Sequence, residues 1–335
     1  MTLALFGTPG SVGGAATKVA DLIELLSPEI TVEIVINDRR NQSTVERFIR
    51  GMGLNRVNVI RSIEVSRHRH DVALGVCDIS FFEAGVPLRL REVGIPLVWS
   101  NDMMWEFKGE REAAHEKLIN RVIFVSEVQR NAFRECYNNI DSRQIPNFVS
   151  PSRFPVVDRQ NRKFTIGRLS RPDPVKYPVD FPVFYEEFGL EEVRYRVQAW
   201  SDELKRRYAW HRFGHEWEFF LAGTMPASEF LSSLDVYVYP LGHQVVESWG
   251  RSTVEAMLTG CAVLVPKGHN FEHMLVHGES GFVCGNFSDF KAVVRELFHN
   301  RALRMQIGRQ AAHFARSVLC NREEHRRMWM EALTF

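Results

Sequence analysis

The stretch that decides the reading is Leu234-Asp235-Val236-Tyr237-Val238-Tyr239-Pro240-Leu241-Gly242-His243-Gln244-Val245-Val246-Glu247-Ser248-Trp249-Gly250-Arg251-Ser252-Thr253-Val254-Glu255-Ala256-Met257-Leu258-Thr259-Gly260. Asp235 to Tyr239 is a β-branched and aromatic run that Pro240 stops, which predicts a buried strand. A glycine-containing loop follows, Ser252 opens a helix, and Gly260 closes it. Glu247 falls on the loop and Glu255 in the first turn of the helix, with seven residues between them. A strand, a loop and a helix N-terminus make a site where backbone N–H groups and the helix dipole favour an anion such as a phosphate. Two carboxylates beside such a site suit neutral hydroxyls on either side of the phosphates, a ribose at one end and a sugar at the other.

Ser252-Thr253-Val254-Glu255 also has the spacing of a capping box, in which Ser and Glu satisfy orphan N–H groups of the helix. That alternative leaves Glu247, Trp249-Gly250 and the preceding strand without a role. With these included, the ligand site is the preferred reading.

The rest of the chain suits this site. At 335 residues it is long for one core and suits two domains of about 150 residues each. Charged residues make up 25% and hydrophobic ones 45%, an ordinary globular balance. No apolar run approaches the roughly 18 residues of a membrane span, and the N-terminus reads as a strand rather than a signal peptide. Five scattered cysteines without a Cys-x-x-Cys pair argue against a disulfide framework or zinc site and for a reducing cytoplasm. The formal net charge is +1, so no bulk basic field points to nucleic acid. A local run, Arg67-His68-Arg69-His70, reads either as a solvated loop or as a phosphate contact. The twelve histidines form no His-Glu-x-x-His pattern, and no metal site is expected.

Taken in order, Thr2 to Gly7 is an apolar strand that enters a glycine-rich turn containing Gly13 and Gly14, followed by a helix to about Leu26. The turn is neither a dinucleotide fingerprint nor a P-loop, yet it lets a phosphate or sugar approach the backbone. Further strands are expected at 31–37, 57–60, 72–77, 79–82, 96–100 and 122–126, alternating with helices at 44–50, 111–119 and 127–137. That alternation implies a parallel, doubly wound sheet with ligands at the carboxyl ends of its strands. Asn101-Asp102, at such an end, suits either a sugar contact or a turn. Residues 150–162 are polar and carry Pro151 and Pro155, as a linker does. Phe164 to Ser170 opens a second domain, with Arg168 and then Lys176 behind an apolar strand. Fixed cations there would stabilise a diphosphate leaving group.

The 234–260 stretch resembles the Glu-x7-Glu segment of retaining GT-B glycosyltransferases of the family 4-like group, with Trp249 where Phe is usual. Ile145-Pro146-Asn147-Phe148-Val149 resembles the family's passage into its hinge, with Phe148 for Gly. Gly167-Arg168-Leu169 with Lys176 resembles its diphosphate clamp, and His277 to Val283 its Asp-Gly-x-x-Gly turn. The family often has a His near Asn101, and this sequence departs from it there.

The resemblance implies an α/β fold of GT-B type, two Rossmann-like doubly wound domains facing a cleft. Residues 1–150 would form the acceptor-side domain, joined by a C-terminal helix at about 318–335, and 151–317 the nucleotide-sugar domain. It implies transfer of a hexose-type sugar from a UDP- or GDP-linked donor to a hydroxyl acceptor, without metal or further cofactor, in the cytoplasm. Glu247, Arg168 and Lys176 would be catalytic. Glu255, Gly250, Arg251, Ser252, Gly13, Gly14 and Asn101 would bind the donor. The acceptor stays open among glycan, lipid, small molecule and modified nucleic-acid base. A sugar-nucleotide epimerase and a non-catalytic sugar-nucleotide-binding protein are the alternatives.

Overall fold

The computed structural model describes residues 1–11, 13–36, 39–67, 69–159 and 163–335. Val12 of the glycine-rich turn, Asn37 at the end of an expected strand, His68 of the basic run and linker residues 160–162 lie outside the described residues. Contacts divide the chain into two compact units, Met1–Phe148 with Asn321–Phe335, and Val149–Cys320.

The first unit contains strands β1 (Thr2–Phe6), β2 (Thr31–Ile36), β3 (Val57–Arg61), β4 (Val72–Val76), β5 (Leu97–Ser100), β6 (Arg121–Phe124) and β7 (Asp141–Gln144). They form one sheet in the order β3-β2-β1-β4-β5-β6-β7, with every pairing parallel. Strands β1, β4, β5 and β6 are buried along their whole or nearly whole length, as parallel strands covered on both faces must be. The edge strand β7, Asp-Ser-Arg-Gln, is polar and mostly exposed, so it carries no apolar signal in the sequence.

The expected strand at 79–82 is instead a turn leading into the helix Val86–Glu92. The Asp78 carboxylate accepts from both the N–H and the hydroxyl of Ser80, at 3.0 and 2.9 Å, an Asx-turn that overrides the β propensity. Phe81 and Phe82 then pack on Trp99, while Ile79 is 74% exposed. The C-terminal helix Arg322–Ala332 belongs to this unit. Arg121 binds the Ala332 carbonyl at 2.6 Å, and Trp329 lies under the Lys18 ammonium.

The second unit contains β8 (Thr165–Leu169), β9 (Arg194–Gln198), β10 (Trp217–Phe220), β11 (Val236–Val238), β12 (Ala262–Pro266) and β13 (Phe282–Cys284). Their order is β10-β9-β8-β11-β12-β13, again all parallel. Tyr177, Phe181, Tyr185, Trp200, Tyr208 and Trp217 are among the large rings of its core. Asp235, 2% exposed, accepts from the Thr165 N–H at 2.9 Å and so ties the starts of β8 and β11 together.

Both strand orders reverse direction once, between β1 and β4 in the first unit and between β8 and β11 in the second. At such a switch point the loops leaving the two strands diverge and open a crevice at the carboxyl edge.

Candidate active site

In the second unit the switch-point loops run from Ser170 to Lys176 after β8 and from Tyr239 to Gly250 after β11. Four polar groups meet there. The Lys176 ammonium donates to Glu247 Oε2 at 2.8 Å, and the Tyr239 hydroxyl donates to the same oxygen at 3.1 Å. The Glu247 N–H donates to His269 Nδ1 at 3.2 Å, which places the imidazole proton on Nε2. Burial lowers the His269 pKa, with Glu247 and Glu272 opposing, so the ring is held in its neutral form. Lys176 and Glu247 are 13% and 14% exposed in their side chains, close enough to solvent for a ligand to reach and dry enough for the pair to be strong.

Arg168 does not occupy the place expected of it. It is 0% exposed and lies within β8, one residue before the strand ends. Its guanidinium sits 3.9 Å from the Tyr177 ring centroid and 4.8 Å from that of Tyr239. Nη1 donates to the Pro240 carbonyl at 2.8 Å, and Nη2 to Ser170 Oγ and the Lys176 carbonyl, both at 3.3 Å. No carboxylate pairs with it among the described residues. A buried cation is tolerable when its field is balanced and most of its donors are met. Here two carbonyls and the Ser170 hydroxyl take Nη1 and Nη2 and ring faces cover the charge, while Nε meets no hydrogen-bond partner among the described residues. Arg168 therefore pins the β8 and β11 loops together from beneath, and Lys176 alone of the expected cation pair reaches the carboxylate. The arginine that is exposed on this loop is Arg171, five residues before Lys176, which the sequence reading passed over.

The helix opens differently from the capping-box alternative. It spans Arg251–Leu258, its N-cap is Gly250 at φ +81°, and no side chain caps it. A Cβ on Gly250 would stand 2.3 Å from the Phe271 ring, so both the backbone angle and the space require glycine. The Ser252 hydroxyl shares a 2.7 Å hydrogen bond with Tyr237 OH, which itself donates to the Leu169 carbonyl at 3.0 Å. Tyr237 having given its proton to a carbonyl, Ser252 is the donor of that pair. Glu255 lies beyond the first turn and is 7% exposed; its Oε1 accepts from Arg251 Nε at 2.8 Å. Burial, with Arg251 adding to it and Glu255 opposing, lowers the Arg153 guanidinium to about 10. Arg153 thus stands beside this ion pair, a neighbour the sequence did not disclose.

In the first unit, Gly13 is the exposed N-cap of the helix Gly14–Leu26, and Gly14 is exposed as well. A cavity of about 220 Å³ opens at the carboxyl edge, lined among others by Gly7, Thr8, Asn41, Asp78 and Ser80. Asn101 is not turned to a ligand. Only 4% exposed, it gives its amide N–H groups to the Trp105 carbonyl at 2.9 Å and to both Glu110 oxygens at 3.1 Å. Its Oδ1 accepts from the Met103 N–H at 2.8 Å, so the side chain is committed to shaping its own loop. Asp102 beside it is paired with the buried Lys18 ammonium, which also donates to Ser100 Oγ at 2.8 Å.

Residues 198–314, all within the second unit, match the family model described as "Glycosyl transferases group 1". The chain is 29% identical over 184 residues to a phosphatidyl-myo-inositol mannosyltransferase of Mycolicibacterium smegmatis, a similarity spanning 52% of this chain and 46% of that protein. Among solved structures, HepE of Anabaena in complex with UDP and glucose superposes with a TM-score of 0.78 at 16% identity, covering 99% of both chains. TarM of S. aureus, in a complex that includes UDP, gives 0.77 at 10% identity over 100% of both chains. Sucrose-phosphate synthase of Thermosynechococcus elongatus gives 0.74 at 13% identity, covering 98% of this chain and 97% of that one. The protein has the GT-B fold, two Rossmann-like units each built on a parallel sheet, and residues 198–314 of its second unit match the glycosyl transferases group 1 model.

Proposed function

We propose that the protein is a glycosyltransferase that moves a hexose-type sugar from a nucleoside-diphosphate donor to a hydroxyl acceptor, with retention of anomeric configuration and without a metal ion. The observation that carries this reading is the Lys176–Glu247–Tyr239 cluster at the β8/β11 switch point, one short loop from the open N-terminus of the helix Arg251–Leu258. The group 1 match over 198–314 and the UDP found with HepE support a nucleotide-sugar donor, UDP- or GDP-linked.

Each residue then has a chemical task. Glu247 accepts hydrogen bonds from hydroxyls of the transferred sugar and stabilises positive charge as its glycosidic bond breaks. Lys176, with the exposed Arg171, neutralises the departing diphosphate, while the uncapped N–H groups at Gly250 and Arg251 receive a phosphate. Arg168 holds these loops in place and touches no ligand. Glu255 takes the ribose diol, and Ser252 fixes the helix start through Tyr237. A phosphate oxygen of the leaving group removes the acceptor's proton on the face it departs from, so no protein nucleophile is needed. Residues 1–150 with 318–335 serve as the acceptor-side domain and 151–317 as the donor domain. In the former, Gly13 and Gly14 offer exposed backbone, and Asn101 acts only through its loop.

The test is a donor panel of UDP-, GDP-, ADP- and TDP-sugars with and without EDTA, read by thermal shift and by sugar transfer. One nucleotide series should stabilise the protein, and transfer should survive EDTA with the donor's anomeric configuration kept. Turnover of the donor's sugar without any acceptor would point to epimerisation instead, and stabilisation without turnover to a binding protein.

A further inference from the structure

The carboxyl edge of β9 holds a polar group that the cluster around Glu247 does not use. Gln198 is the last residue of β9, in register with Leu169 of β8 on one side and Phe220 of β10 on the other. It is 3% exposed, and its Nε2 donates to the Met225 carbonyl at 2.6 Å. A carbonyl can only accept, so this contact fixes which end of the amide is nitrogen. The other end, Oε1, is buried and meets no hydrogen-bond donor among the described residues. An apolar side chain of similar shape would fill this position without that penalty.

The next residue carries a second local cost. Ala199 has φ +69°, a left-handed conformation that non-glycine residues rarely adopt and that concentrates at binding and catalytic sites. It turns the chain so that the Trp200 N–H donates to the Phe220 carbonyl at 2.9 Å, with the Trp200 ring stacked on Phe219 at 4.4 Å. The strained turn is thus held rigidly, with Gln198 at its entrance. Beside it, Leu221 to Thr224, the turn leading to Met225, is exposed at every residue. An orphaned acceptor, a strained backbone and an exposed turn coincide at the edge of the sheet where a doubly wound fold takes its ligand.

We propose that Gln198 reads the nucleobase of the donor: its Oε1 accepts an N–H of the base, and its amide N–H keeps the Leu221–Met225 turn in place around that base. The inference rests on the donor reading above and adds to it a specific base-end residue. In the sheet order β9-β8-β11, Gln198 lies two strand spacings, about 10 Å, from the end of β11 that leads to Glu247. A nucleoside diphosphate laid across β8 therefore has its base at Gln198 and its phosphates at Lys176 and Arg171. The base reaches Oε1 past the exposed Leu221–Thr224 turn, whose Met225 end stays anchored to Gln198 Nε2.

Calorimetric titration of wild type, Gln198→Met and Gln198→Glu with UDP, GDP and inorganic pyrophosphate separates the two ends of the ligand. Wild type should bind UDP or GDP. Gln198→Met, close in shape but unable to accept, should weaken that nucleotide about tenfold and leave pyrophosphate affinity unchanged. Gln198→Glu, which cannot donate to the Met225 carbonyl, should weaken the nucleotide as well, again with pyrophosphate unchanged. Unchanged nucleotide affinity in Gln198→Met, with wild type binding normally, overturns this inference alone. Equal loss of nucleotide and pyrophosphate also overturns it, since that pattern reports a collapsed loop. A wild-type protein that binds neither UDP nor GDP overturns the donor reading and this inference with it.

Discussion

Glu110 and Glu247 are two carboxylates near the carboxyl edges of their sheets, and they are held in opposite ways. Glu110 is 0% exposed and ringed by donors: Trp99 Nε1 at 2.7 Å, the Phe107 N–H at 2.6 Å, the Asn101 amide at 3.1 Å on both oxygens, and the Tyr137 hydroxyl. Burial raises its pKa, and those hydrogen bonds pull it back down. Both of its oxygens are engaged by protein. Glu247 is part-exposed, and among the described residues both of its side-chain contacts fall on Oε2. A carboxylate whose acceptor capacity is filled from within builds a loop. One that is anchored by a single oxygen keeps the other for a ligand.

The sharpest way to break this contrast is to remove the charge from each. Glu247→Gln should lower kcat by about 100-fold or more while moving the denaturant midpoint less than Glu110→Gln does, the shift it does cause coming from the unpaired Lys176. Glu110→Gln should do the reverse. An amide nitrogen facing four buried donors costs on the order of 3 kcal/mol of stability, and the folded fraction should keep most of its kcat. Denaturant melts beside initial rates for both variants decide the matter, and parallel losses in both would erase the distinction.

A second contrast lies within one loop, between Arg168 beneath it and Arg171 on it. Arg168→Ala removes the fork that joins Pro240, Ser170 and Lys176, so unfolding free energy should fall by about 3 kcal/mol. Arg168→Lys should not restore it, because a compact ammonium lacks the planar fork that spans these separated acceptors while stacking on two rings. Arg171→Ala should leave the melt unchanged and lower kcat by about tenfold. The opposite assignment of losses would return Arg168 to the ligand.

These pairs also mark how far the sequence could be read. The strand and helix alternation, the parallel sheets and the strand–loop–helix at 234–260 follow from apolar runs and their punctuation, and they stand in the structure. The place of Arg168 was not legible because β8 runs on through Leu169, which puts the guanidinium inside the strand instead of after it. Nothing in the local pattern separates Arg168 from Arg171; what separates them is the cage of Tyr177 and Tyr239, two contacts made across sequence distance. The internal partners of Asn101 were hidden in the same way, since Glu110 becomes visible only once the loop is folded. The capping box failed because the N-cap is Gly250, two residues before Ser252, and Tyr237 engages Ser252. The edge strand β7 and the Asx-turn at Asp78 were hidden by polar composition and by turn chemistry, respectively.

A smaller effect sharpens the picture of the anchored oxygen. Tyr239→Phe deletes one of the two donors on Glu247 Oε2 while keeping the ring that covers Arg168. A hydrogen bond to a charged group contributes about 1.5–3 kcal/mol, and Lys176 still holds the same oxygen, so kcat should fall only about tenfold with the donor KM and the melt nearly unchanged. A loss as large as that of Glu247→Gln would mean that the hydroxyl itself meets the substrate.

The least effect concerns pH and His269. Its folded pKa is lowered from the ordinary 6.5 by burial, with Glu247 and Glu272 opposing, and the neutral ring accepts the Glu247 N–H at Nδ1. The unfolded chain then binds a proton more readily than the native one. Stability from this group is present in full above about 6.5 and is lost as pH falls through that value toward the lower folded pKa. Protonation also removes the acceptor that holds the Glu247 backbone, so activity and local stability should fall together below pH 6.5. His269→Gln offers a carbonyl oxygen in place of Nδ1 and has no titration, so its melting temperature should vary less between pH 7.5 and 5.5 than that of wild type. Identical pH slopes for the two proteins would show that the ring does not act as the support of the Glu247 loop.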